Sequence, residues 1–255
     1  MTATKNKIAL VTGGSRGLGK DMALRLAEKG FNVVITYHSR KDDASHVVEQ
    51  IQSQGRKGHA LQLDVAKSET FDAFAGGLRS ALQSVFDAEA IDALVNNAGT
   101  GLHIPFTDTT PEQFDSMVSI HVKAPYFLTQ KLLPLVSDGG SIVNISSGLA
   151  RFSFPGYSAY GTMKGAVETL TKYQARELGE RKIRVNVVAP GAIETDSGGG
   201  AVRNRPERKN KLSSLTVLGR VGLPDDIGGV VAFLCSDDSK WVNAQRIEVA
   251  GGIFV

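Results

Sequence analysis

Short runs of apolar, mostly β-branched residues alternate along the chain with longer stretches in which apolar residues recur every three or four positions. The short runs are typical of buried strands, and the longer stretches are typical of amphipathic helices. The predicted strands cover residues 8–12, 32–37, 58–63, 93–96, 141–146, 184–189 and 246–249. The predicted helices cover residues 19–29, 43–54, 69–85, 111–136, 158–180 and 224–236.

This alternation of strand and helix predicts βαβ units and therefore an α/β fold. We expect a single doubly wound, Rossmann-type domain over residues 1–255, with a seven-stranded parallel sheet flanked by helices, because no linker, repeat or composition shift divides the chain. Joints marked by glycine or proline follow the strands at Gly13, Gly99, Pro190 and Gly251. Open α/β sheets bind their ligands at this end of the strands.

Composition narrows the class of protein further. The chain has 255 residues, 42% of them hydrophobic, so it can bury a large core. Its formal net charge of +3 does not indicate binding to nucleic acid. Its only cysteine, Cys235, lies in an apolar run and predicts a buried structural thiol. The start lacks a signal-peptide core, and no apolar stretch approaches the ~18 residues that span a membrane. We expect a cytoplasmic protein without a membrane span.

The first strand leads into Gly13-Gly-Ser-Arg-Gly-Leu-Gly19, which opens the first helix. Glycines permit a tight turn, and they let backbone amides approach a pyrophosphate that sits on the positive end of the helix. A plain strand-to-helix turn is the alternative. The position near the N-terminus, between strand and helix, favours a dinucleotide site.

The end of the second strand distinguishes the two nicotinamide cofactors. An acidic side chain there would bind the ribose hydroxyls of NAD, but the chain reads Ile35-Thr-Tyr-His-Ser-Arg-Lys41. Arg16 in the glycine turn, together with Ser39, Arg40 and Lys41, offers donors for a 2′-phosphate. The sequence therefore predicts NADP(H) in preference to NAD(H), and the alternative is that these are solvated loop cations.

A tyrosine and a lysine stand four positions apart at Tyr160 and Lys164. On a helix this spacing places both side chains on one face, where a cation can lower the phenol pKa from its usual value of about 10. Alone, such a pair is more often a solvated helix edge.

These motifs occur with others, each after a predicted strand: Asp64-Val65, Asn96-Asn-Ala-Gly99, Ser146-Ser147, Pro190-Gly-Ala-Ile-Glu-Thr195 and Gly251-Gly252. In this order the chain resembles the short-chain dehydrogenase/reductase family nearly from end to end. The resemblance implies an NADP-dependent enzyme that transfers a hydride between the cofactor and a carbonyl or secondary alcohol.

The resemblance also implies roles for single residues. Tyr160 would be the general acid for the carbonyl oxygen, and Lys164 would lower its pKa and hold the nicotinamide ribose. Ser147 would bond the substrate oxygen, with its neighbour Ser146 as the alternative. Cofactor contacts are implied for Gly13, Ser15, Arg16, Gly17, Leu18, Gly19, His38, Ser39, Arg40, Asp64, Val65, Asn96, Ala98, Gly99, Tyr160, Lys164, Pro190, Gly191, Ile193 and Thr195. No metal site is expected.

One position departs from the family pattern. His121 stands where the family most often has an asparagine, which supports a water chain from the active-site lysine. Three interpretations stay open. His121 preserves that support through the backbone, adds a titrating group, or is a satisfied core histidine.

The family builds a substrate lid at about residues 195–215, and here this segment holds three adjacent glycines followed by five cations and one acid. A basic lid would suit a phosphopantetheine thioester or an acidic carrier, and a solvated surface is the alternative. A partly apolar pocket mouth is expected from Leu102, His103, Ile104, Phe106, Phe152, Phe154 and Tyr157, and packing in the core or at an interface is the alternative.

We expect a small-molecule ketone or 3-oxoacyl thioester as substrate. A sugar or polyol dehydrogenase is the alternative, and a non-catalytic NADP sensor is a remote one. The family resemblance implies a homotetramer, and a dimer stays open.

Overall fold

The computed structural model describes residues 7–195, 200 and 202–255. Its seven strands are all parallel and form one sheet in the order β3-β2-β1-β4-β5-β6-β7, which confirms the predicted fold class. The strands are β1 (Ile8–Val11), β2 (Asn32–Tyr37), β3 (Gly58–Gln62), β4 (Ile91–Asn96), β5 (Val136–Ile145), β6 (Arg184–Pro190) and β7 (Arg246–Val249).

Helices cover both faces of this sheet. They are α1 (Gly17–Glu28), α2 (Lys41–Ser53), α3 (Phe71–Ala81), α4 (Pro111–Val118), α5 (Thr129–Leu132), α6 (Ser158–Glu177), α7 (Pro206–Ser214) and α8 (Asp225–Cys235). Alternate residues of a strand point to opposite faces, so Val11 packs with α1, α2 and α8, whereas Leu10 packs with α3 and α5. The two buried layers explain why the strands read as continuous apolar runs.

Strand β5 begins at Val136, five residues before its predicted start. The sequence prediction placed Val136 in the preceding helix, and this was wrong. The segment from Val136 to Gly140 carries turn residues, and Gly139 adopts a left-handed φ of 78°. Pairing of Val136 with Ile91, followed by a register shift, makes the segment part of the sheet. Such pairing is a tertiary effect without a local sequence signal.

The continuous helix predicted over residues 111–136 is interrupted. Helix α4 passes into a π-helical segment, Ser119–Leu128, before α5 and a final 3₁₀ turn, Leu133–Leu135. Pro125 lies inside the π-helical segment, where it lacks the N–H of a regular helical bond and its ring crowds the preceding turn. The widened backbone carries His121, which is buried.

Helix α7 was not predicted, because the segment was interpreted as a glycine hinge followed by a charged surface. Pro206 at its first turn was an available signal for a helix start. Two of the three hinge glycines, at positions 198 and 199, lie outside the described residues. Among the helices that the structure describes, none is long and apolar enough to cross a bilayer.

Candidate active site

The glycine turn lies at the carboxyl end of β1, between β2 and β4, where the connections leave the sheet on opposite faces. Gly13 and Gly17 have φ angles of 66° and 54°, which L-residues with side chains rarely adopt. A Cβ added at Gly19 would lie 2.2 Å from the carbonyl oxygen of Gly13. Helix α1 begins here without a side-chain cap from Arg16, so its first amides face an anion position. The turn fits a pyrophosphate.

Two further residues hold this turn in place. Asn97 Nδ2 donates to the carbonyl oxygens of Thr12 at 2.8 Å and of Gly13 at 3.2 Å. Thr12 Oγ1 accepts from the backbone amides of Asn97 at 2.9 Å and Ala98 at 3.0 Å, and it donates to Val95 O. The ends of β1 and β4 are therefore joined by side-chain hydrogen bonds. The sequence analysis assigned no site role to Asn97 or Thr12, although both lie inside the quoted motifs.

The edge beyond β2 and β3 contains the residues predicted to select the cofactor. His38 is largely exposed, and its Nε2 lies 3.6 Å from Asp64 Oδ2. Arg40 pairs with Asp43 at 3.2 Å on the surface, and Ser39 is exposed beside it. β2 itself ends at Tyr37, without a carboxylate. The arrangement leaves a cationic, hydroxyl-bearing edge where the adenosine ribose of a dinucleotide would lie.

The remaining predicted cofactor residues lie along the neighbouring strand ends. Asn96 donates its amide hydrogens to Thr129 Oγ1 at 3.0 Å and Asn144 Oδ1 at 2.9 Å. Its side-chain amide is therefore hydrogen-bonded to other side chains in the core. Beyond β6, a Cβ on Gly17 would lie 3.8 Å from Cβ of Thr195, so the Thr195 side chain faces the glycine turn. The structure places Ser15, Leu18, Val65, Ala98, Gly99, Pro190, Gly191 and Ile193 along this same edge of the sheet.

Tyr160 and Lys164 both lie on α6, as predicted, and the Lys164 Nζ lies 5.4 Å from the centroid of the Tyr160 ring. Lys164 is buried and donates to the carbonyl oxygen of Ile145 at 2.8 Å. Ser147 lies just past the end of β5, and its hydroxyl is near enough to Tyr160 to lower the pKa of the phenol. The three side chains predicted as catalytic therefore meet at one point.

Burial controls the ionisation of this group. It raises the pKa of Tyr160 to about 12, and the hydrogen bond with Ser147 opposes that rise. Burial also lowers the pKa of Lys164 to about 8. The expected lowering of the phenol pKa by Lys164 is not found in the protein alone, because the ammonium lies over the ring and both groups are desolvated.

The structure separates the two neighbouring serines. Ser146 is buried, and its hydroxyl bonds to Glu168 Oε1 at 2.8 Å and to the carbonyl oxygen of Lys164 at 3.2 Å. Ser147 instead reaches Tyr160 and accepts from the amide of Leu149 at 3.2 Å. The geometry therefore favours Ser147 as the serine that would bond the substrate oxygen. Ser146 instead links the end of β5 to α6 by hydrogen bonds.

His121 lies beside this group and is only 3% exposed. Its Nε2 lies 2.7 Å from the carbonyl oxygen of Thr100, and its ring packs edge-on against Tyr160 with centroids 5.3 Å apart. Burial, reinforced by the charge of Lys164, lowers the pKa of His121 to about 3. The imidazole is therefore neutral at physiological pH, which removes the titrating interpretation.

Helix α7 connects the lid segment to the site through two adjacent cations. Arg208 donates to the hydroxyl of Tyr157, and Lys209 Nζ pairs with Glu194 at 2.6 Å. Tyr157 lies 6.5 Å from Tyr160 and 4.7 Å from His103, measured between ring centroids. These contacts make α7 a cover over the mouth of the site, and they were not predicted from the sequence.

Some of the other residues predicted to line the pocket mouth form an aromatic cluster. Phe152 and Phe154 pack against Phe254 near the C-terminus, with ring centroids 4.7 and 5.5 Å away. Phe106 is instead 82% exposed. The sequence does not predict that Phe254 belongs to this cluster, because its neighbours lie about a hundred positions away.

Comparisons with known proteins show what the chain is similar to. The sequence profile of a family described as enoyl-(acyl carrier protein) reductase matches residues 13–253. A hydroxynaphthalene reductase-like protein of Metarhizium brunneum is 37% identical over 258 residues, covering 96% of this chain and 94% of its own. A 3-oxoacyl-[acyl-carrier-protein] reductase of Staphylococcus epidermidis is 37% identical over 252 residues, covering 98% of this chain and 100% of its own.

Among solved structures, the angucycline C-6 ketoreductase LanV with bound NADP superposes with a TM-score of 0.92. It is 38% identical, and the match covers 97% of this chain and 95% of that chain. These likenesses extend over the whole site, from the glycine turn to the residues after β7.

Proposed function

The chain belongs to the short-chain dehydrogenase/reductase family, and on that premise we propose that it uses NADPH to reduce a ketone borne on a planar ring system. It is an NADP-dependent oxidoreductase that acts on carbonyl groups. The observation that carries the proposal is the meeting of Ser147, Tyr160 and Lys164 beside the glycine turn.

The chain's own residues supply the proton chemistry. When bound, NADPH supplies a hydride to the carbonyl carbon. Tyr160 donates its proton to the carbonyl oxygen, and a pKa of about 12 keeps the phenol protonated until that transfer. The Ser147 hydroxyl donates a hydrogen bond to the same oxygen as negative charge develops there. Lys164 then returns a proton toward the phenolate, and its pKa of about 8 suits a donor near neutrality.

The cofactor would be held by backbone and side chains in different places. The amides at the start of α1 would bind the pyrophosphate, because the glycines leave room for its approach. Arg16, Ser39 and Arg40 would bind the 2′-phosphate, while His38, Asp64 and Val65 would border the adenine. Lys164 would hold the nicotinamide ribose, and Ile193 with Thr195 would hold the carboxamide.

The substrate side supports a flat, aromatic ketone. Tyr157 and His103 form a tilted ring pair next to Tyr160, and aromatic side chains of this kind bind planar rings by offset or edge contacts. The hydroxynaphthalene reductase-like relative is named for a fused-ring compound.

A 3-oxoacyl thioester is the second candidate. Helix α7 carries three cations, Arg208, Lys209 and Lys211, which would attract a phosphorylated carrier arm, and one relative is a 3-oxoacyl-[acyl-carrier-protein] reductase.

A substrate panel tests the proposal. NADPH oxidation would be followed with 2-tetralone, acetoacetyl thioester, crotonyl thioester, a simple aldehyde and a ketohexose, each with the wild type and with Tyr160→Phe. We expect the highest kcat/KM with the bicyclic ketone, and a loss of about 10³-fold in Tyr160→Phe. Preference for acetoacetyl thioester would select the second candidate. Preference for the ketohexose or crotonyl thioester, or retained turnover in Tyr160→Phe, would contradict the proposal.

We favour a homotetramer as the assembly and the cytoplasm as its location. Two separate apolar surfaces support it: one on α4, the π-helical segment and α6, and one near the C-terminus. The first includes Phe114, Tyr126, Phe127 and Tyr173, and the second includes Val217, Leu218 and Val255, which lie around Gly251 and Gly252. Two self-complementary surfaces generate a tetramer with two-fold symmetry. Sedimentation at micromolar concentration tests this: a dimer would leave one surface without a partner, and a monomer would contradict both states.

A further inference from the structure

A second cavity lies at the edge of the sheet opposite the glycine turn. Its volume is about 300 Å³, and ligand pockets in proteins have volumes of about 300 to 1,000 Å³. The cavity crosses the amino ends of β1, β4, β5 and β6, where three inter-strand spacings of about 4.8 Å give a length of about 14 Å. Seven of the ten described residues on its wall are charged, four as cations and three as acids. The cavity is therefore large enough for a small ligand and polar enough to bind a charged one.

The three acids on the wall already have partners. Lys7 Nζ lies 2.6 Å from Asp237 Oδ1, so this pair also uses one of the four cations. Asp138 accepts from Arg181 Nε at 2.7 Å. Asp92 Oδ2 accepts from the first backbone amide of β1 at 2.9 Å. The acids are therefore held by groups other than the three remaining cations of the wall.

Those three cations are Lys182, Arg184 and Lys240. Arg184, the first residue of β6, donates to three backbone carbonyl oxygens at 2.9 to 3.2 Å. Lys182 and Lys240 are exposed, and within the described part of the chain neither ammonium group has a hydrogen bond or an ion pair. None of the three positive charges is therefore paired with a carboxylate of the described residues.

The charge of Arg184 is the least well compensated of the three. Its guanidinium is half-buried, and burial lowers its pKa, although Cys235 and Asp237 oppose this. Asp237 is already paired with Lys7, and burial raises the pKa of Cys235 to about 12, so the thiol carries no charge near neutrality. Carbonyl oxygens supply only partial charges. An anion in the cavity would supply a full counter-charge and accept charge-assisted hydrogen bonds.

The backbone of Lys182 is an independent observation. It adopts a left-handed φ of 56° directly after the 3₁₀ turn Gly179–Arg181, where glycine is the usual residue. A residue with a Cβ is disfavoured in this conformation. Stability therefore does not explain a lysine at this position, whereas a role in holding an anion does.

We propose that this cavity is a second binding site, for a small organic anion with two or more carboxylate or phosphate groups, and that Lys182, Arg184 and Lys240 hold it. Three cations suit the charge of a tricarboxylate or a sugar bisphosphate. The acids on the wall disfavour long polyanions such as nucleic acid, because they repel the flanking phosphates. From Arg184 to Pro190, β6 separates this site from the cofactor edge by about 20 Å, so the anion does not compete with NADPH.

Titration calorimetry of the full chain saturated with NADP⁺ tests the site while the phosphate positions of the cofactor are filled. Citrate and fructose 1,6-bisphosphate are the probes, which separate carboxylate from phosphate ligands, and fructose is the uncharged control. We expect one equivalent of at least one anion to bind with a Kd below about 1 mM, and added salt to weaken it. Fructose should not bind. Absence of one-to-one binding for both anions would overturn the proposal.

Variants at the two exposed lysines locate the bound anion. Lys182→Gly suits the left-handed backbone, so it removes the cation without disturbing the fold. Lys182→Gly and Lys240→Ala should each raise the Kd of the probe about three- to tenfold, and the double variant should raise it by more than about tenfold. Lys172→Ala on α6 also removes one exposed cation and should leave the Kd unchanged.

Fluorescence of Trp241 gives a second readout at the site itself. Trp241 is the only tryptophan of the chain, follows Lys240 directly and is 96% exposed. The probe should change its emission in the wild type and in Lys172→Ala, and not in the double variant. A double variant that binds the probe as tightly as wild type would place the anion elsewhere and overturn the proposal. Neither readout requires turnover, so its failure would leave the proposed ketone reduction unaffected.

Discussion

The cofactor side of this site is formed mainly by backbone groups, and the substrate side is formed mainly by side chains. On the cofactor side, backbone amides and glycine conformations form the surface, and Asn97 and Thr12 fix it by short hydrogen bonds within the sheet ends. On the substrate side, α7 is connected to the site by the side chains of Arg208 and Lys209. One half depends on close packing, and the other depends on long cationic side chains.

This difference determines what a substitution does in each half. A Cβ at Gly13 or Gly19 would meet backbone atoms of the turn or of the β4 end, whereas loss of a lid cation removes one partly exposed contact. We therefore expect cofactor binding to be intolerant of small changes and substrate recognition to be adjustable. Lys164 would serve both halves, through Tyr160 on one side and the nicotinamide ribose on the other.

The largest effect is expected at that shared position. Lys164→Met should lower kcat roughly 10³-fold, because the proton return to Tyr160 and the ribose contact are both lost. The same change should stabilise the protein at pH 7 by about 1 to 3 kcal/mol, since a buried charge is removed. Steady-state kinetics and chemical denaturation would measure the two.

The pH dependence of stability follows from the same group. The pKa of Lys164 falls from 10.5 to about 8 on folding. Between these values the unfolded chain binds a proton that the folded chain has released, so wild-type stability should rise with pH across this window. Lys164→Met should lack that rise. An unchanged rise would show that another group causes it.

Gly19→Ala is expected to have the next largest effect. Its Cβ would lie 2.2 Å from Gly13 O and 2.5 Å from Asn97 Nδ2, so the turn must shift, and NADPH affinity should fall by about 10²-fold or more. Gly76→Ala on α3 is the matched control, because a Cβ there meets no atom within 4 Å. It should leave affinity unchanged and stabilise the helix by up to about 1 kcal/mol.

The same contrast explains how far the sequence could be interpreted. The glycine turn, the strand ends and the pair on α6 depend on local patterns, and the predicted strands at residues 32–37 and 246–249 match β2 and β7 at both ends. The start of β5 depends on pairing with Ile91, which has no local pattern. The α7 contacts and the Phe254 cluster join residues far apart in the chain. The pKa of Tyr160 depends on burial, which four-residue spacing does not report.

A smaller effect is expected at the cofactor edge. Arg40→Ala should lower kcat/KM for NADPH about tenfold relative to NADH, because one charge-assisted contact to the 2′-phosphate is lost. The exposed ion pair of Arg40 with Asp43 contributes little stability, so the fold should be unaffected. Arg79→Ala on α3, an exposed arginine elsewhere, is the control. An equal loss for both cofactors would remove Arg40 from the phosphate site.

The smallest effect is expected at the lid. Arg208→Ala should change KM for the ketone by about three- to tenfold and leave KM for NADPH unchanged, because the Arg208 contact with Tyr157 lies on the substrate side only. Lys211→Ala, on the same helix and exposed, should change neither. A change in KM for NADPH with Arg208→Ala would mean that the lid also contacts the cofactor.

The separation of the two halves is tested most directly by NADPH titration of Tyr160→Phe and Gly19→Ala, monitored by nucleotide fluorescence. We predict that Tyr160→Phe binds NADPH with a Kd within about threefold of wild type while turning over roughly 10³-fold more slowly, and that Gly19→Ala no longer binds at micromolar concentration. Wild-type turnover in Tyr160→Phe, or wild-type NADPH affinity in Gly19→Ala, would contradict the account.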